Sequence, residues 1–232
     1  MSEALADNME DGGSSAAGQP VQAGASRKTE AKRRRHLPKA ARRLQLINST
    51  VDSIARRGFS DTTLSHVAKS AGLSQGIVNL HFDNKETLFV ETLKHLRDEF
   101  RNGWLKRLQE ADGDPVLEIR ALAGVFFDRR IGSKRKLAGW FAFVGEAKSR
   151  PIYRQICEAY DTEYFDAMVN ACQGLIDQGG YEGFTAKEAA GALEAMLEGL
   201  WLSMHLAPTE MDRDKAKSVR DVFLKQFFSK HF

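Results

Sequence analysis

The stretch TLSHVAKSAGLSQGIVNLHFDNKETLF, residues 63–89, holds two short helical patterns separated by one sharp turn and then begins a third. Thr63 stands where a helix needs an N-cap, because its hydroxyl can accept from a backbone N–H of the first turn. Leu64, Val67, Ala68 and Ala71 follow at three- and four-residue steps, which puts them on one face. Ala68 is small where two helices must cross closely. Gly72 supplies the left-handed backbone of the turn, Leu73 plugs the gap beneath it, and Ser74 is placed to cap the next helix. That helix turns inward Ile77, Val78 and either His81 or Phe82. Its exposed N-terminal face carries Gln75, Gly76, Asn79 and Leu80, and none of them is charged. A helix that enters a major groove is furnished in this way. Amides and methyl groups read base edges, Gln and Asn pair in bidentate fashion with adenine, and attraction to phosphate comes from the flanks. The stretch predicts a DNA-reading helix-turn-helix over 63–82.

Upstream, residues 1–37 are rich in Gly, Ser, Ala and Gln and nearly lack large apolar side chains, so they cannot offset their ordering entropy and are expected to be a disordered tail. The net charge of the chain is only +3, but it is unevenly placed. Residues 27–43 carry nine basic side chains, among them Arg33, Arg34, Arg35, Arg42 and Arg43, against the single acid Glu30. Such a run is either a solubilising tail or an arm that grips phosphates or a minor groove.

From Pro38 onward the period is helical throughout. Leu44, Ile47, Val51 and Ile54 mark a first helix that Gly58 stops, and a long fourth helix is expected over about 84–110. Four or five further helical stretches follow the break ADGDP (111–115). Nothing alternates with period two for long enough to form a sheet, so the fold class is all-α. The two cysteines, Cys157 and Cys172, would lie roughly 22 Å apart on one helix, beyond disulfide reach. With no apolar run of membrane-spanning length, these features predict a cytoplasmic protein. No phosphate loop and no His/Cys cluster with metal spacing occurs, and the six histidines are scattered; acids such as Glu158 and Asp161 fit a helix surface. Neither an enzyme nor a cofactor or metal is expected.

The order FSDTTLSHVAKSAGLSQGIVNLHFDNKETL (59–88) resembles the signature of TetR-family transcriptional regulators: a Thr pair, an Ala then Ala-Gly, a Ser opening the second helix, His-Phe, and Lys-Glu-x-Leu starting the fourth. That resemblance implies about nine helices, with a DNA-binding domain over 38–100 and a ligand-binding and dimerisation domain over 101–232. It further implies phosphate contacts from Thr63 and Lys85, and Ser74, Gln75, Gly76, Asn79 and His81 in or beside the groove. The family usually has Tyr where this chain has Asn79, so Asn79 is expected to contact a base.

The later sequence is aromatic-rich. RKLAGWFAFVGEAKSRPIYRQ (135–155) puts Leu137, Trp140, Phe141 and Val144 on one stripe, and AAGALEAMLEGLWLSMHL (189–206) repeats the pattern. Most of these side chains fit a hydrophobic core. Yet WFAF, IYR and EGLWL, together with QLINST (45–50) and GIVNLHF (76–82), are similar to BetI-type repressors, the choline-responsive subgroup. The subgroup implies a choline-like cation held by aromatic faces. Trp140, Phe143, Tyr153 and Trp201 are the candidates, with Glu146 or Glu198 as counter-charge. RRIGSKRK (129–136) would suit an anionic effector instead.

Gly191, Ala195 and Gly199 form a small-residue row, extended by Leu202 and Leu206, that lets two helices approach. KSVRDVFLKQFF is apolar on more than one side through Val219, Val222, Phe223 and Phe227. A single buried stripe suffices for a monomer, so the surplus is either buried within one subunit or covered by a second copy. A homodimer would place two readers about one turn of DNA apart on a palindrome-like operator. Effector binding would then shift the fourth helix. The rival readings are a TetR-type regulator of another system and an architectural DNA-binding protein without effector control.

Overall fold

The computed structural model describes residues 37–232. The 1–37 tail, apart from Leu37, and Arg33, Arg34 and Arg35 within it therefore lie outside the described residues. Nine α-helices are present among the described residues, with no strand. They are α1 (Lys39–Arg57), α2 (Leu64–Ala71), α3 (Gln75–His81), α4 (Lys85–Glu110), α5 (Pro115–Gly124), α6 (Lys134–Ala147), α7 (Pro151–Gly179), α8 (Ala186–Leu206) and α9 (Arg213–Phe227). A single 3-10 turn, Val125–Phe127, follows α5. Among the described residues no helix is long and apolar enough to cross a membrane.

The helix ends form where the side-chain chemistry favours them. Thr63 accepts from the His66 backbone N–H at 3.2 Å, Asn84 from Thr87 at 2.8 Å, and Thr185 and Glu188 close a reciprocal capping box at the start of α8. Gly72 sits at φ 67° and ends α2 in the left-handed conformation. Ser74 occupies the N-cap position of α3, but its side chain makes no capping bond.

Two hydrophobic clusters share α4. The first is built on Leu46, Val51 and Ile54 of α1, Val67 and Ala68 of α2, Val78, Phe82, and α4 from Leu88 to Leu96. The second begins at Phe100 and Trp104 of the same helix and gathers α5, the 3-10 turn and α6 to α9, α6 through Leu137. The buried arc of α1 is centred on Leu46 and Thr50, both fully buried, so Leu44 falls just past its rim and is 45% exposed. The expected inward role of Leu44 is thus taken by Leu46.

The first cluster also receives side chains from far along the chain. Phe143 of α6 and Tyr153 and Cys157 of α7 are buried in it. Phe143 lies edge-on to Phe59, Phe89 and Tyr153 at centroid distances of 5.4, 6.0 and 5.4 Å. Salt bridges add to this junction: Arg135 reaches Asp52 of α1 at 2.5 Å, and Lys136 reaches Glu99 of α4 at 2.6 Å. The cations of 129–136 that suggested an anionic effector are therefore in part committed to tying α6 to α1 and α4.

Removing a fully buried aromatic ring leaves a cavity as well as lost transfer energy. Phe143→Ala is expected to lower stability by about 3–5 kcal/mol in urea denaturation. Leu80→Ala, at a side chain 74% exposed, should stay within about 0.5 kcal/mol. Equal effects of the two would place Phe143 outside the core.

Candidate nucleic-acid interface and effector pocket

On the reader, Thr63, Ser74, Gln75, Gly76, Asn79 and Leu80 are all exposed, while Val78 and Phe82 anchor α3 from beneath. The uncharged face therefore points to solvent. A Cβ built on Gly76 would meet nothing closer than the Ser74 hydroxyl at 3.9 Å, so packing within the chain does not require a glycine there. His81 is half-buried at the C-terminal end of α3.

The flanking cations have structural duties. Arg43 donates to the His81 carbonyl at 2.6 Å, pairs with Glu91 at 3.3 Å and lies 4.3 Å from the centre of the Phe82 ring, so it fastens the end of α3 to α1 and α4. Arg42 is buried and donates to Gln45 at 2.6 Å. Lys85 donates to the Ser60 carbonyl at 3.2 Å with its ammonium 4.9 Å from the Phe89 ring centre. Burial and the nearby Arg150 hold its pKa below the usual lysine range. These side chains set the pose of the reader, and a phosphate would have to recruit them from existing bonds.

In the second half, a cavity of about 80 Å³ opens between α4, α6, α7 and α8. Phe100, Phe126, Trp140, Tyr164 and Trp201 line it. These rings meet one another edge-on or tilted, with centroid separations from 4.7 Å for Phe126–Trp201 to 6.0 Å for Phe126–Tyr164. Two of their polar atoms are committed to backbone: Trp201 donates through Nε1 to the Phe126 carbonyl at 2.5 Å, and the Tyr164 hydroxyl donates to the Leu122 carbonyl at 3.0 Å.

The other lining groups are charged. Asp161, Glu194 and Glu198 supply three carboxylates against one cation, Arg97. Arg97 is ion-paired with Asp161 and lies over Trp140, with Cζ 4.1 Å from the ring centre. Burial, then Glu198 and Asp161, push the Glu194 carboxyl up to about 7. Glu198 is also raised, by burial and then Asp161, with Arg97 opposing. Burial leads both shifts, and the neighbouring carboxylates add to it.

The expected ligand residues are divided by the structure. Trp140, Trp201 and Glu198 line the cavity. Phe143 and Tyr153 do not: Phe143, on the face of α6 adjacent to Trp140, and Tyr153, near the start of α7, are buried in the reader's core, against which Trp140 also packs. Glu146 pairs with Arg150 at 3.0 Å, and Arg150 with Glu86 of α4 at 3.2 Å, so that acid belongs to the junction. Asp161 is exposed, as expected of a helix-surface acid, and is also the partner of Arg97 at the cavity rim. Sequence reasoning missed Arg97, Phe100, Phe126, Tyr164 and Glu194. The spacing Glu194, Glu198, Trp201 along α8 was the available signal, because steps of four and three share one helical face.

Along α8 and α9, Ala195, Gly199, Leu202 and Val219 are exposed, as are Leu206 at 70% and Val222. Gly191 is half-buried, and a Cβ added there or at Gly199 would meet open space. Phe223 and Phe227 stack on one another at 5.1 Å and are half-buried, with Phe227 also against Phe184 at 4.6 Å.

With this geometry in hand, comparison with known proteins gives two family matches. Residues 46–92 match the family described as bacterial regulatory proteins, tetR family, and residues 115–229 match the BetI-type transcriptional repressor, C-terminal. The chain belongs to the TetR family of transcriptional regulators. Its C-terminal part is of the BetI type. Curated relatives include the HTH-type transcriptional regulator BetI of Klebsiella pneumoniae, 28% identical over 80% of this chain and 93% of the relative. BetI 1 of Chromohalobacter salexigens is 29% identical over 77% and 86%. Among solved structures, a transcriptional regulator from Pseudomonas aeruginosa PAO1 superposes with a TM-score of 0.72 at 24% identity, covering 85% of this chain and 95% of that one. A regulator from Saccharomonospora viridis, solved in complex with choline, superposes with a TM-score of 0.68 at 17% identity, covering 80% and 96%. As a member of that family the protein is a DNA-binding helix-turn-helix regulator, and α2 and α3 lie within the matched residues 46–92.

The raised pKa of Glu194 has a thermodynamic consequence. Folded protein keeps a proton on this group between about pH 4.5 and 7 that the unfolded chain has released, so stability falls as pH rises through that window. Melting temperature without effector should therefore decline from about pH 5 to about pH 8. Glu194→Gln should flatten the decline and melt higher at the alkaline end. Parallel curves for the two proteins would mean that Glu194 titrates as an ordinary glutamate.

Proposed function

We propose that this regulator is a homodimeric, cytoplasmic repressor released from its operator by a small methylated cation of the choline type. The observation that carries the effector class is the cavity in which ring faces meet three carboxylates. A quaternary ammonium offers no hydrogen-bond donor, so ring faces hold it through cation–π attraction while the carboxylates supply the long-range field. Three further points support the reading: the BetI-type match over 115–229, the BetI relatives, and the choline complex of the Saccharomonospora regulator. Trp140, Trp201 and Glu198 are the proposed effector contacts, joined by Glu194 and Asp161.

Residues 38–100 would serve as the DNA-binding part and 101–232 as the ligand-binding and dimerisation part. Gln75, Gly76 and Asn79 would meet base edges. Thr63, Ser74 and His81 would flank them, and Lys85, Arg42, Arg43 and the Arg33–Arg35 run would add attraction to phosphate. A second copy would cover Ala195, Gly199, Leu202, Val219 and Val222, with Gly191, Phe223 and Phe227 beside them. Twin readers would then face successive major grooves of a palindrome-like operator.

Isothermal titration with choline, paired with a gel shift on the chain's own promoter, tests the effector. Choline should bind and weaken the shift, and Trp140→Leu should lower choline affinity about tenfold, as loss of one desolvated cation–π contact implies. Protein that still shifts the promoter yet takes up no choline removes the cation reading. For the reader, Gln75→Ala with Asn79→Ala should cost about 1–3 kcal/mol of specific affinity per lost contact while leaving salt-sensitive binding to random DNA intact. Equal losses on both DNAs would show that the recognition face is misassigned. Leu202→Glu with Val222→Glu should sediment as a monomer and lose operator binding. An unchanged dimer would move the interface elsewhere.

A further inference from the structure

We propose that Arg97 is a built-in occupant of the effector site, and that effector binding is the exchange of one cation for another on the face of Trp140. The proposal rests on the cation reading of the cavity and adds to it the step by which occupancy is felt by the DNA-reading half.

Arg97 already makes the interaction that a cationic effector would seek. Its guanidinium lies over the Trp140 ring at 4.1 Å and is ion-paired with Asp161. The side chain is only 5% exposed, whereas its partner Asp161 is 53% exposed at the cavity rim. One of its donors, Nε, is buried without a hydrogen-bond partner. A charged side chain buried with a donor unmatched is held less firmly than one fully satisfied, and the half-exposed Asp161 gives it a way out. Withdrawn toward the rim, the guanidinium keeps its carboxylate and regains water.

The size of the cavity points to exchange rather than addition. About 80 Å³ is far below the roughly 300 Å³ at which pockets for small molecules begin. A guest must therefore create room. The aromatic walls are interlocked, and Trp201 and Tyr164 are bonded to backbone carbonyls, so among the lining groups Arg97 is the one with both a charge the guest can replace and an exposed partner to follow. A cation that takes its place leaves the number of positive charges facing Glu194 and Glu198 unchanged, which keeps the electrostatic cost of exchange small.

Exchange acts on α4. Arg97 lies one residue beyond Leu96, where α4 leaves the reader's cluster, and its two partners stand on α6 and α7. The seated guanidinium ties these three helices at one point. Releasing it frees α4 to move against α6 and α7, and α4 begins at Lys85 beside the reader. The effector can shift this equilibrium only by its preference for the released form, and displacing Arg97 supplies that preference.

The test uses the full chain and tetramethylammonium, a methylated cation with no hydrogen-bonding group. A crystal structure with the cation bound should show it on the Trp140 face with the Arg97 guanidinium withdrawn. Cation bound elsewhere with Arg97 still on Trp140 overturns the proposal. In solution, Arg97→Met should bind tetramethylammonium at least about tenfold more tightly than the unaltered chain, since the resident competitor is gone. The same variant without effector should bind the promoter several-fold more weakly, as the tie on α4 is lost. Unchanged cation affinity, or tighter cation binding with promoter affinity intact, also overturns it. Absence of tetramethylammonium binding to either protein sinks the underlying cation reading instead, and the two failures are thereby told apart.

Discussion

The contact on which the rest of the structure depends is the edge-on cluster of Phe59, Phe89, Phe143 and Tyr153. Phe59 and Phe89 belong to the DNA-reading half and meet at 4.9 Å; Phe143 and Tyr153 come from α6 and α7 and close on them within 6 Å. Because of this cluster the reader is not an independent unit on a linker. Its core is completed by helices α6 and α7, which also wall the cavity. Close-packed interiors do not deform continuously, so a change in the seating of α6 or α7 reaches α1 and α4 as a shift of whole elements.

The same geometry accounts for the length of α4. Its 26 residues span about 39 Å, enough to carry the Leu88–Leu96 face in one core and Phe100 and Trp104 in the other without a break. Three of the four helices that wall the cavity, α4, α6 and α7, also contribute to the reader's core, and the fourth, α8, presents exposed Leu202 and Leu206 away from it. Effector, DNA and a second copy of the chain would thus act on overlapping sets of helices. Coupling among them needs no separate pathway, only two arrangements of shared elements.

Charge is distributed to the same end. Arg43, Arg135 and Lys136, cations that in sequence could serve a phosphate or an anionic effector, bridge helices to carboxylates or carbonyls, and Arg150 does the same. The cavity is left with more acids than bases. Burial first, and then the neighbouring Glu198 and Asp161, push the carboxyl of Glu194 up to about 7.

How much of this was legible in the sequence follows from the range of the interactions concerned. The all-helical class, the caps at Thr63 and Asn84, the left-handed turn at Gly72 and the uncharged outer face of α3 depend on neighbours three or four residues away, and local order specifies them. The family resemblance added the reader and the BetI-type half. Membership of the cavity was a different matter. Trp140 and Phe143 are three residues apart on one helix, yet one faces the cavity and the other fills the reader's core, because α6 is gripped on two sides. Arg97 meets Asp161 across 64 positions of chain, and no local pattern announces such a meeting. The sequence by itself determined which helices form and which short face is fit to read DNA; only tertiary packing decided which aromatic rings are walls of a site and which are mortar, because that depends on what each helix is pressed against.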